Sequence, residues 1–224
     1  DMKAVVLIPA YNADKAISGI IGKIRLQGFD VLVVDDGSSD QTSQLSEFSG
    51  AEVLKNQKNL GKGGALRRGF EYLKNKKVDA VITMDADGQH DPSYLKEFIE
   101  AAQTGNYDVI VGNRMAAHQG MPLIRMWTNR LMSRFLSRKA GQYIPDTQCG
   151  FRLIKKEVLQ KVNLLTSNYE IESELLLEAS KAGFKIGSIP VSSIYKGQKS
   201  RINPIVDTLR FIKMIRGGAH DRRF

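Results

Sequence analysis

The sequence predicts an α/β protein with a mostly parallel, doubly wound sheet and helices on both faces. Short apolar runs alternate with stretches of helical spacing through the first half of the chain, an order typical of parallel sheets. Three of these runs end in polar or acidic residues, as expected where a ligand binds beyond the carboxyl ends of strands. The 224 residues, 42% of them hydrophobic, are enough for one domain with a substantial core.

Each element of the first half has a simple signal in the sequence. The predicted strands are apolar runs bounded by Pro, Gly or acidic residues, and the predicted helices repeat apolar residues every three or four positions. Asp40 is predicted to cap the second helix, and Pro92 to occupy the first turn of the fourth. The predicted strands are 4–8, 31–34, 51–54, 80–84 and 109–111, and the predicted helices are 13–26, 40–48, 62–73 and 92–102.

The second half of the chain is less regular. Helices are predicted over 123–138, 169–182 and 204–216, and strand segments over 186–189 and 191–195, on either side of Pro190. The apolar face predicted for the first of these helices consists of Leu123, Met126, Trp127, Leu131 and Phe135. Because no repeat or low-complexity linker divides the chain, residues 1–224 are predicted to form a single domain.

Charge separates this domain into two halves. Residues 1–113 carry 13 Lys and Arg against 16 Asp and Glu, whereas residues 114–224 carry 20 against 8. The basic half predicts an anionic partner, which can be nucleic acid, a phosphorylated substrate or a membrane surface. No run approaches the roughly 18–20 apolar residues that span a bilayer, so we expect a cytoplasmic protein, at most peripheral on the cytosolic face of a membrane. The single cysteine excludes an internal disulfide and a Cys-rich zinc site.

Two acidic segments at predicted strand ends carry the clearest chemical signals. Asp85 and Asp87 can direct oxygens at one hard cation that keeps open positions for phosphate, with Gln89 or His90 as a further ligand or substrate contact. Asp35 and Asp36 can accept hydrogen bonds from a base or a ribose. A solvated acidic turn is the alternative for the first segment, and a turn with a helix cap is the alternative for the second.

Two further groups suggest phosphate binding less specifically. The glycine-rich segment 59–65, with Lys62, opens a predicted helix and is either a phosphate-binding turn or a packing turn. Arginine binds phosphate with two parallel hydrogen bonds, although a solvated basic face is the alternative for any single residue. The basic residues concerned are Arg114, Arg125, Arg130, Arg134 and those of segment 195–201.

Taken together, these segments resemble family 2 glycosyltransferases of the GT-A fold, in the group that transfers mannose or glucose to polyprenyl phosphates (dolichol-phosphate mannose synthase-like). Eight blocks match in order and cover nearly the whole chain. They are 8–12, 34–40, 59–63, 85–90 with Pro92, 112–114, 146–152, 169–174 and 200–201.

The resemblance implies an inverting transfer of a hexose from GDP-mannose or UDP-glucose to dolichyl or undecaprenyl phosphate. The catalytic residues it implies are Asp87, Arg114 and Arg201. Substrate contacts are implied for Pro9, Tyr11, Asn12, Asp36, Lys62, Asp85, Gln89, Arg125 and Ser200, and ligands of Mg²⁺ or Mn²⁺ for Asp85, Asp87 and Gln89. Residues 1–113 then bind the nucleotide-sugar and residues 114–224 the acceptor. A lipid phosphate is already ionised near pH 7 and needs no general base.

Three departures from the family pattern bear on the acceptor and the nucleotide. Ala13 stands where the family usually has Glu, Tyr195 where it often has Arg, and Arg201 where it usually has Lys. From the sequence we also expect no C-terminal membrane span of the kind that many relatives carry. Helix 204–216 together with 123–138 is predicted either to lie on an anionic bilayer or to pack on the protein's own core. A separate anchoring partner or a homo-oligomer is a further expectation.

Three other functions are weighed against this one. A saccharide or other lipid acceptor keeps the donor chemistry, but a hydroxyl acceptor requires a base. A nucleotidyltransferase should have a basic, glycine-rich loop after the first strand, where this chain has Pro9, Ala10, Tyr11 and Asn12. A nucleic-acid-binding module leaves the acidic strand ends unexplained, so nucleic acid is not an expected partner.

Overall fold

The computed structural model describes residues 2–116, 123–166, 168 and 170–192, with residues 123–125 described in their backbone only. The strands are β1 (Ala4–Ala10), β2 (Asp30–Asp35), β3 (Glu52–Lys55), β4 (Ala80–Thr83), β5 (Val109–Asn113), β6 (Arg152–Lys155) and β7 (Ile186–Pro190). The helices are α1 (Ile17–Arg25), α2 (Thr42–Phe48), α3 (Gly61–Lys74), α4 (Leu95–Thr104), α5 (Leu123–Ala140), α6 (Lys156–Lys161) and α7 (Glu170–Lys181).

The strands form one sheet in the order β3-β2-β1-β4-β6-β5-β7. Four of the strand pairs are parallel, namely β1 with β2, β1 with β4, β2 with β3, and β5 with β7. β6 runs antiparallel to both of its neighbours, β4 and β5. The predicted α/β class with a mostly parallel sheet is therefore confirmed, with one reversed strand that the sequence pattern did not predict.

The central strands form the core because their residues are almost continuously apolar. β1 and β4 are buried along nearly their whole length, as expected for strands covered on both faces. α3 packs against β1 and β2, and α4 packs against β5 and β6. Within the described residues, no helix is both long enough and apolar enough to cross a membrane.

Several predicted boundaries differ from the structure at places where local hydrogen bonds decide the geometry. α2 begins at Thr42, two residues after Asp40, although Asp40 still accepts a hydrogen bond of 3.0 Å from the Thr42 amide. Residues Pro92–Tyr94 form a 3₁₀ turn before α4, and the Asp91 carboxylate accepts from the Ser93 amide at its start.

The strand predicted over 191–195 is wrong in its described part. β7 ends at Pro190, opposite Asn113, because β5 turns there into a 3₁₀ helix over Arg114–Ala116, although the Val191 amide still donates to the Asn113 carbonyl at 3.1 Å. Val191 and Ser192 therefore lie outside the sheet. Residues 193–195 and the helix predicted over 204–216 lie outside the described residues.

The buried side of α5 is not its predicted apolar face. Trp127, Leu131 and Phe135 are 66%, 72% and 51% exposed, whereas Asn129 and Ser133 are buried. The fully buried Leu136 lies on the same side, and the Ser133 hydroxyl accepts a 2.9 Å hydrogen bond from the Thr147 amide. α5 thus turns Ser133 towards the loop before β6.

Replacement by alanine is expected to have opposite effects on stability at two helical glycines. A Cβ at Gly69 of α3 would lie 2.4 Å from Cδ1 of the fully buried Leu7, whereas a Cβ at Gly22 of α1 would have no neighbour within 4 Å. We expect Gly69→Ala to lower the free energy of unfolding by about 1–3 kcal/mol through overpacking. Gly22→Ala should raise it by about 0.5–1 kcal/mol through helix propensity. Urea unfolding of both variants measures the difference, and a Gly69→Ala protein as stable as Gly22→Ala would contradict the close packing of α3 on β1.

Candidate active site

The candidate site lies at the carboxyl ends of the parallel strands β2, β1 and β4. Ala10 at the end of β1 is in register with Asp35 at the end of β2, and β4 ends two residues before Asp85. Three polar segments therefore meet at one edge of the sheet, as expected for parallel strands. The segments are Tyr11-Asn12, Asp35-Asp36 and Asp85-Asp87.

The two aspartates after β2 are buried and hydrogen-bonded. The Asp35 carboxylate accepts from the Ser38 amide at 2.9 Å and from the Ser43 hydroxyl. Oδ1 of Asp36 accepts from the Asn56 side-chain amide at 2.6 Å and from the Leu60 amide at 2.9 Å. Asp35 therefore orders its own turn, while Asp36 ties the end of β2 to the loop before α3.

The loops after β1 and β2 are joined directly. Asn12 has a positive φ of 50°, and its Oδ1 accepts from the Ser39 amide at 3.0 Å, while its own amide donates to the Ser38 hydroxyl at 2.9 Å. Pro9 lies within β1, and Tyr11 is 40% exposed beside these contacts. Gly37, with φ of 73°, leaves no room for a side chain, because a Cβ would lie 2.8 Å from the Lys58 carbonyl carbon.

Lys62 joins three elements through two partly buried ion pairs. It lies in the first turn of α3, and its Nζ is 2.5 Å from Oδ1 of Asp85 and 2.7 Å from Oε1 of Glu172 in the first turn of α7. Burial alone would lower the pKa of Lys62, but the carboxylates of Asp85 and Glu172 raise it well above its usual value. The side chain is therefore an ammonium that links the end of β4 to α7.

The same pairing keeps Asp85 ionised. Burial alone would raise the pKa of Asp85, but the charges of Lys62, His90 and Arg114, with Lys62 contributing most, lower it to about 2. Asp87 is exposed, and its Oδ1 accepts a 2.9 Å hydrogen bond from the Gln89 amide. The turn thus presents one partly buried and one exposed carboxylate.

His90 acts on this turn from within the protein. Its Nδ1 accepts a 3.2 Å hydrogen bond from the Asp85 amide, and its ring stacks on Phe151 with centroids 5.2 Å apart. Burial lowers the pKa of His90 by more than the nearby carboxylates of Asp85 and Asp87 raise it. His90 therefore holds the backbone of the acidic turn, whereas the sequence had suggested a metal ligand or a substrate contact.

The chemistry of this turn fits a divalent cation. An ammonium already lies against a carboxylate oxygen of Asp85, which shows that this oxygen is placed to receive positive charge. Gly150 keeps the adjoining space open, since a Cβ there would lie 3.1 Å from the Lys62 Nζ and 3.2 Å from Oδ2 of Asp85. Among the described residues, no three His, Cys, Asp or Glu side chains form a complete metal-binding group. A cation held by Asp85 and Asp87 would therefore need additional oxygen ligands.

Arg114 is buried at the start of the turn that follows β5. Its Nε and Nη2 donate to the two carboxylate oxygens of Asp146 at 2.7 and 2.9 Å, and its side chain is only 6% exposed. Arg114 also lies close enough to Asp85 to contribute to the lowering of that pKa. The pair connects the loop before β6 to the acidic turn.

Asn129, on the buried side of α5, carries a further hydrogen-bond donor. Its side chain is buried, and its Nδ2 has no hydrogen-bond partner. It lies one helical turn before Ser133, whose hydroxyl binds the Thr147 amide next to Asp146. Buried amide donors normally find a partner, so the Asn129 Nδ2, which has none among the described residues, indicates a place for a ligand on this side of α5.

Sequence reasoning missed the roles of Asp146, Glu172 and Arg152. All three lie in segments that were singled out, but their partners are distant in sequence. The fully buried guanidinium of Arg152 donates to the carbonyls of Cys149 and Thr147 at 2.7 and 2.8 Å, and to that of Glu172. A buried charged side chain needs hydrogen-bond or ion-pair partners, and partners that are distant in sequence are identified only in the folded protein.

Some predicted site residues are not brought together with the others. Arg130 and Arg134 are exposed on α5. Arg125 lies on α5, where its side chain is not described, and Ser200 and Arg201 lie outside the described residues.

Comparisons with known proteins agree on one family. The family model described as Glycosyl transferase family 2 matches residues 5–162. A UDP-N-acetylglucosamine–dolichyl-phosphate N-acetylglucosaminyltransferase of Methanococcus voltae is 30% identical, over 87% of this chain and 87% of its own length. An undecaprenyl-phosphate mannosyltransferase of Micrococcus luteus is 28% identical, over 86% and 84%.

Solved structures extend the likeness to the fold. Glucosyl-3-phosphoglycerate synthase from Mycobacterium tuberculosis, in complex with phosphoglyceric acid, superposes with a TM-score of 0.74 at 20% identity, covering 93% of this chain and 75% of that one. The same enzyme with Mn²⁺, UDP and glucosyl-3-phosphoglycerate gives 0.71 at 18% identity, over 96% and 77%.

The buried pair of Arg114 and Asp146 should dominate local stability. Asp146→Asn removes the carboxylate charge that is paired with the buried guanidinium, so we expect the free energy of unfolding to fall by about 3–5 kcal/mol. Asp108→Asn is the matched control, because its pair with Lys155 is looser, at 3.7 Å, and partly exposed. That variant should lose less than about 1 kcal/mol. Equal losses in chemical unfolding would contradict a special role for the buried pair.

Proposed function

The chain belongs to glycosyl transferase family 2, and on that basis we propose that it moves a hexose from a nucleotide-sugar to a polyprenyl phosphate. The observation that carries the donor side is the pair of carboxylates after β4, one ionised by Lys62 and the other exposed, beside the buried Asp36. The relatives named for dolichyl and undecaprenyl phosphate support the acceptor.

The donor nucleotide is assigned to the ends of β1 and β2. Tyr11 offers an exposed ring for the base, and Pro9 and Asn12 shape the same loop. Both described hydrogen bonds to Asp36 end on Oδ1, so we assign Oδ2 to the ribose or the base. The donor is taken to be of the GDP-mannose or UDP-glucose type.

Asp85 and Asp87, with Gln89, would hold Mg²⁺ or Mn²⁺. A divalent ion at this turn neutralises the negative charge that develops on the departing diphosphate. The mycobacterial synthase of similar fold was solved with Mn²⁺ and UDP, which supports a metal at this edge of the sheet. The contribution of the protein is to keep Asp85 ionised through Lys62 and to orient Asp87 through its hydrogen bond from the Gln89 amide.

The acceptor phosphate is assigned to the side of the site bounded by α5. Arg114 contributes positive charge, and the unpaired amide of Asn129 contributes a hydrogen-bond donor. Arg125, Ser200 and Arg201 are assigned to the same phosphate from the sequence. An ionised phosphate oxygen attacks the anomeric carbon in line with the leaving diphosphate and inverts it, so positioning and charge neutralisation carry the reaction.

Product analysis tests this function directly. The protein, Mn²⁺ and a panel of nucleotide-sugars are incubated with a polyprenyl phosphate, and the lipid product is identified by mass. We expect hexosyl transfer that falls at least about 100-fold in Asp87→Asn, because the diphosphate loses a metal-mediated counter-charge. Asp30→Asn is the matched control, since Asp30 is an exposed aspartate at the opposite end of β2.

Two outcomes would contradict the proposal. Transfer that survives both Asp87→Asn and EDTA would remove the metal from the reaction. Transfer to a saccharide but not to any polyprenyl phosphate would leave the donor chemistry intact and replace the acceptor.

Membrane contact is proposed for the exposed face of α5, with the protein peripheral on the cytosolic face of a membrane. Trp127, Leu131 and Phe135 lie four residues apart and form one exposed apolar stripe. The helix also carries exposed basic residues and no acidic residue. The described basic residues are Arg130, Arg134, Arg138 and Lys139. An apolar stripe between cations suits an anionic bilayer surface and brings the site close to a lipid acceptor.

Vesicle co-sedimentation tests this surface. We expect the protein to bind anionic vesicles at low salt, and the triple variant Trp127→Ser, Leu131→Ser, Phe135→Ser to bind at least about tenfold more weakly, because the buried apolar area is lost. Leu26→Ser with Phe48→Ser is the control, since these residues are 89% and 91% exposed but lie on other elements. Unchanged binding of the triple variant would exclude α5 as the contact surface.

A further inference from the structure

The carboxylate of Asp85 is already paired with an ammonium before any substrate is considered. Lys62 is 2.5 Å from this carboxylate and 2.7 Å from that of Glu172. The side chains of Lys62 and Glu172 are only 18% and 12% exposed, so water screens these charges weakly. A bare divalent cation arriving at Asp85 therefore meets a positive charge on the carboxylate that it would bind.

We propose that Lys62 and Glu172 make metal binding at Asp85 depend on the nucleotide diphosphate, so that the cation binds well only together with the donor. This inference rests on the proposed metal site and concerns the order in which that site is filled. Lys62 and Glu172 act on the metal through Asp85 and are positioning residues.

The argument begins with repulsion between like charges. A divalent ion and the Lys62 ammonium on one partly buried carboxylate repel each other, and this weakens binding of the ion alone. A diphosphate brings negative charge to the same place, and both the ion and the ammonium can form ion pairs with it. Binding of the ion with the diphosphate therefore avoids the penalty that the ion alone incurs.

Glu172 explains how Lys62 can yield Asp85 without becoming an unpaired buried cation. When the cation takes Asp85, the ammonium retains its pair with Glu172, which is as short as an ordinary charge-assisted hydrogen bond. Arg152 holds Glu172 in place, since its guanidinium donates to the Glu172 carbonyl and lies 3.9 Å from Oε2.

Gly150 keeps this arrangement compact. A Cβ at Gly150 would lie 2.8 Å from Oε1 of Glu172 and 3.1 Å from the Lys62 Nζ. Any side chain there would press on the charges that must exchange partners. The Thr83 hydroxyl, at the end of β4, donates to the Gly150 carbonyl at 2.7 Å and fixes the backbone of this residue.

Binding of Mn²⁺, followed by the electron paramagnetic resonance signal of the free ion, tests the inference without any assay of transfer. The purified protein is titrated with Mn²⁺ alone and with Mn²⁺ in the presence of UDP. We expect wild-type protein to bind Mn²⁺ at least about tenfold more tightly with UDP than without it. Lys62→Gln should bind Mn²⁺ alone at least about tenfold more tightly than wild type does, because the competing charge is gone.

Glu172→Gln should act in the opposite direction. With one carboxylate left for the ammonium, Lys62 stays on Asp85, and Mn²⁺ affinity should fall at least about threefold even with UDP present. Lys96→Gln, an exposed lysine on α4, is the control for loss of one positive charge. If Lys62→Gln does not fold, the double variant Lys62→Gln, Glu172→Gln keeps the charge balance and should likewise bind Mn²⁺ alone more tightly than wild type.

The outcomes separate this inference from the proposed function. A folded Lys62→Gln or double variant that binds Mn²⁺ alone no more tightly than wild type would overturn the inference, while wild-type binding of Mn²⁺ with UDP would leave the proposed function intact. A wild-type protein that binds no Mn²⁺ even with UDP would overturn both.

Discussion

Repulsion between carboxylates is the constraint around which this end of the molecule is organised. Parallel strands deliver their acidic ends to one edge of the sheet, so negative charges accumulate there as a direct result of the topology. Each buried or partly buried carboxylate has its own hydrogen-bond or ion-pair partners. Asp35 and Asp36 accept hydrogen bonds from neutral groups, whereas Asp85 and Asp146 have the cations Lys62 and Arg114. These partners come from α3 and from the turn after β5, so compensation of charge also holds the surrounding elements together.

This arrangement shows where the charged residues of the two unevenly charged halves lie. The first half is slightly acidic and contributes the strand ends, and the basic second half contributes Asp146, Arg152 and Glu172 beneath them. Buried charges of both signs therefore lie at the boundary of the halves, while the excess positive charge of α5 is exposed. Net charge alone does not distinguish arginines and lysines that form internal ion pairs from those that are exposed at the surface.

The sequence predicted the parallel part of the fold well because each of its elements has a local signal. Apolar runs ending in Asp35 and Asp85 are recognisable without knowledge of their neighbours, and the resemblance to the glycosyltransferase family is confirmed. β6 was missed because it begins with a charged residue, Arg152, and α6 because it is only six residues long. The buried guanidinium of Arg152 donates to three carbonyls, and no local sequence pattern predicts these contacts.

The candidate site was predictable in its residues but not in their connections. Lys62 and Glu172 are 110 positions apart, and the helical pattern of α5 gave no indication that its polar side would be buried. The roles assigned to Arg125, Ser200 and Arg201 remain predictions from the sequence.

The reversed strand β6 has a consequence for how such a protein can change. It belongs to the second half of the chain, yet it lies between β4 and β5 of the first half. The two halves of the chain thus share one sheet, and neither is a module that can be exchanged as a unit without removing a strand from the middle of the other. Substitutions that leave the sheet intact are therefore confined to the loops and to exposed helix faces such as that of α5.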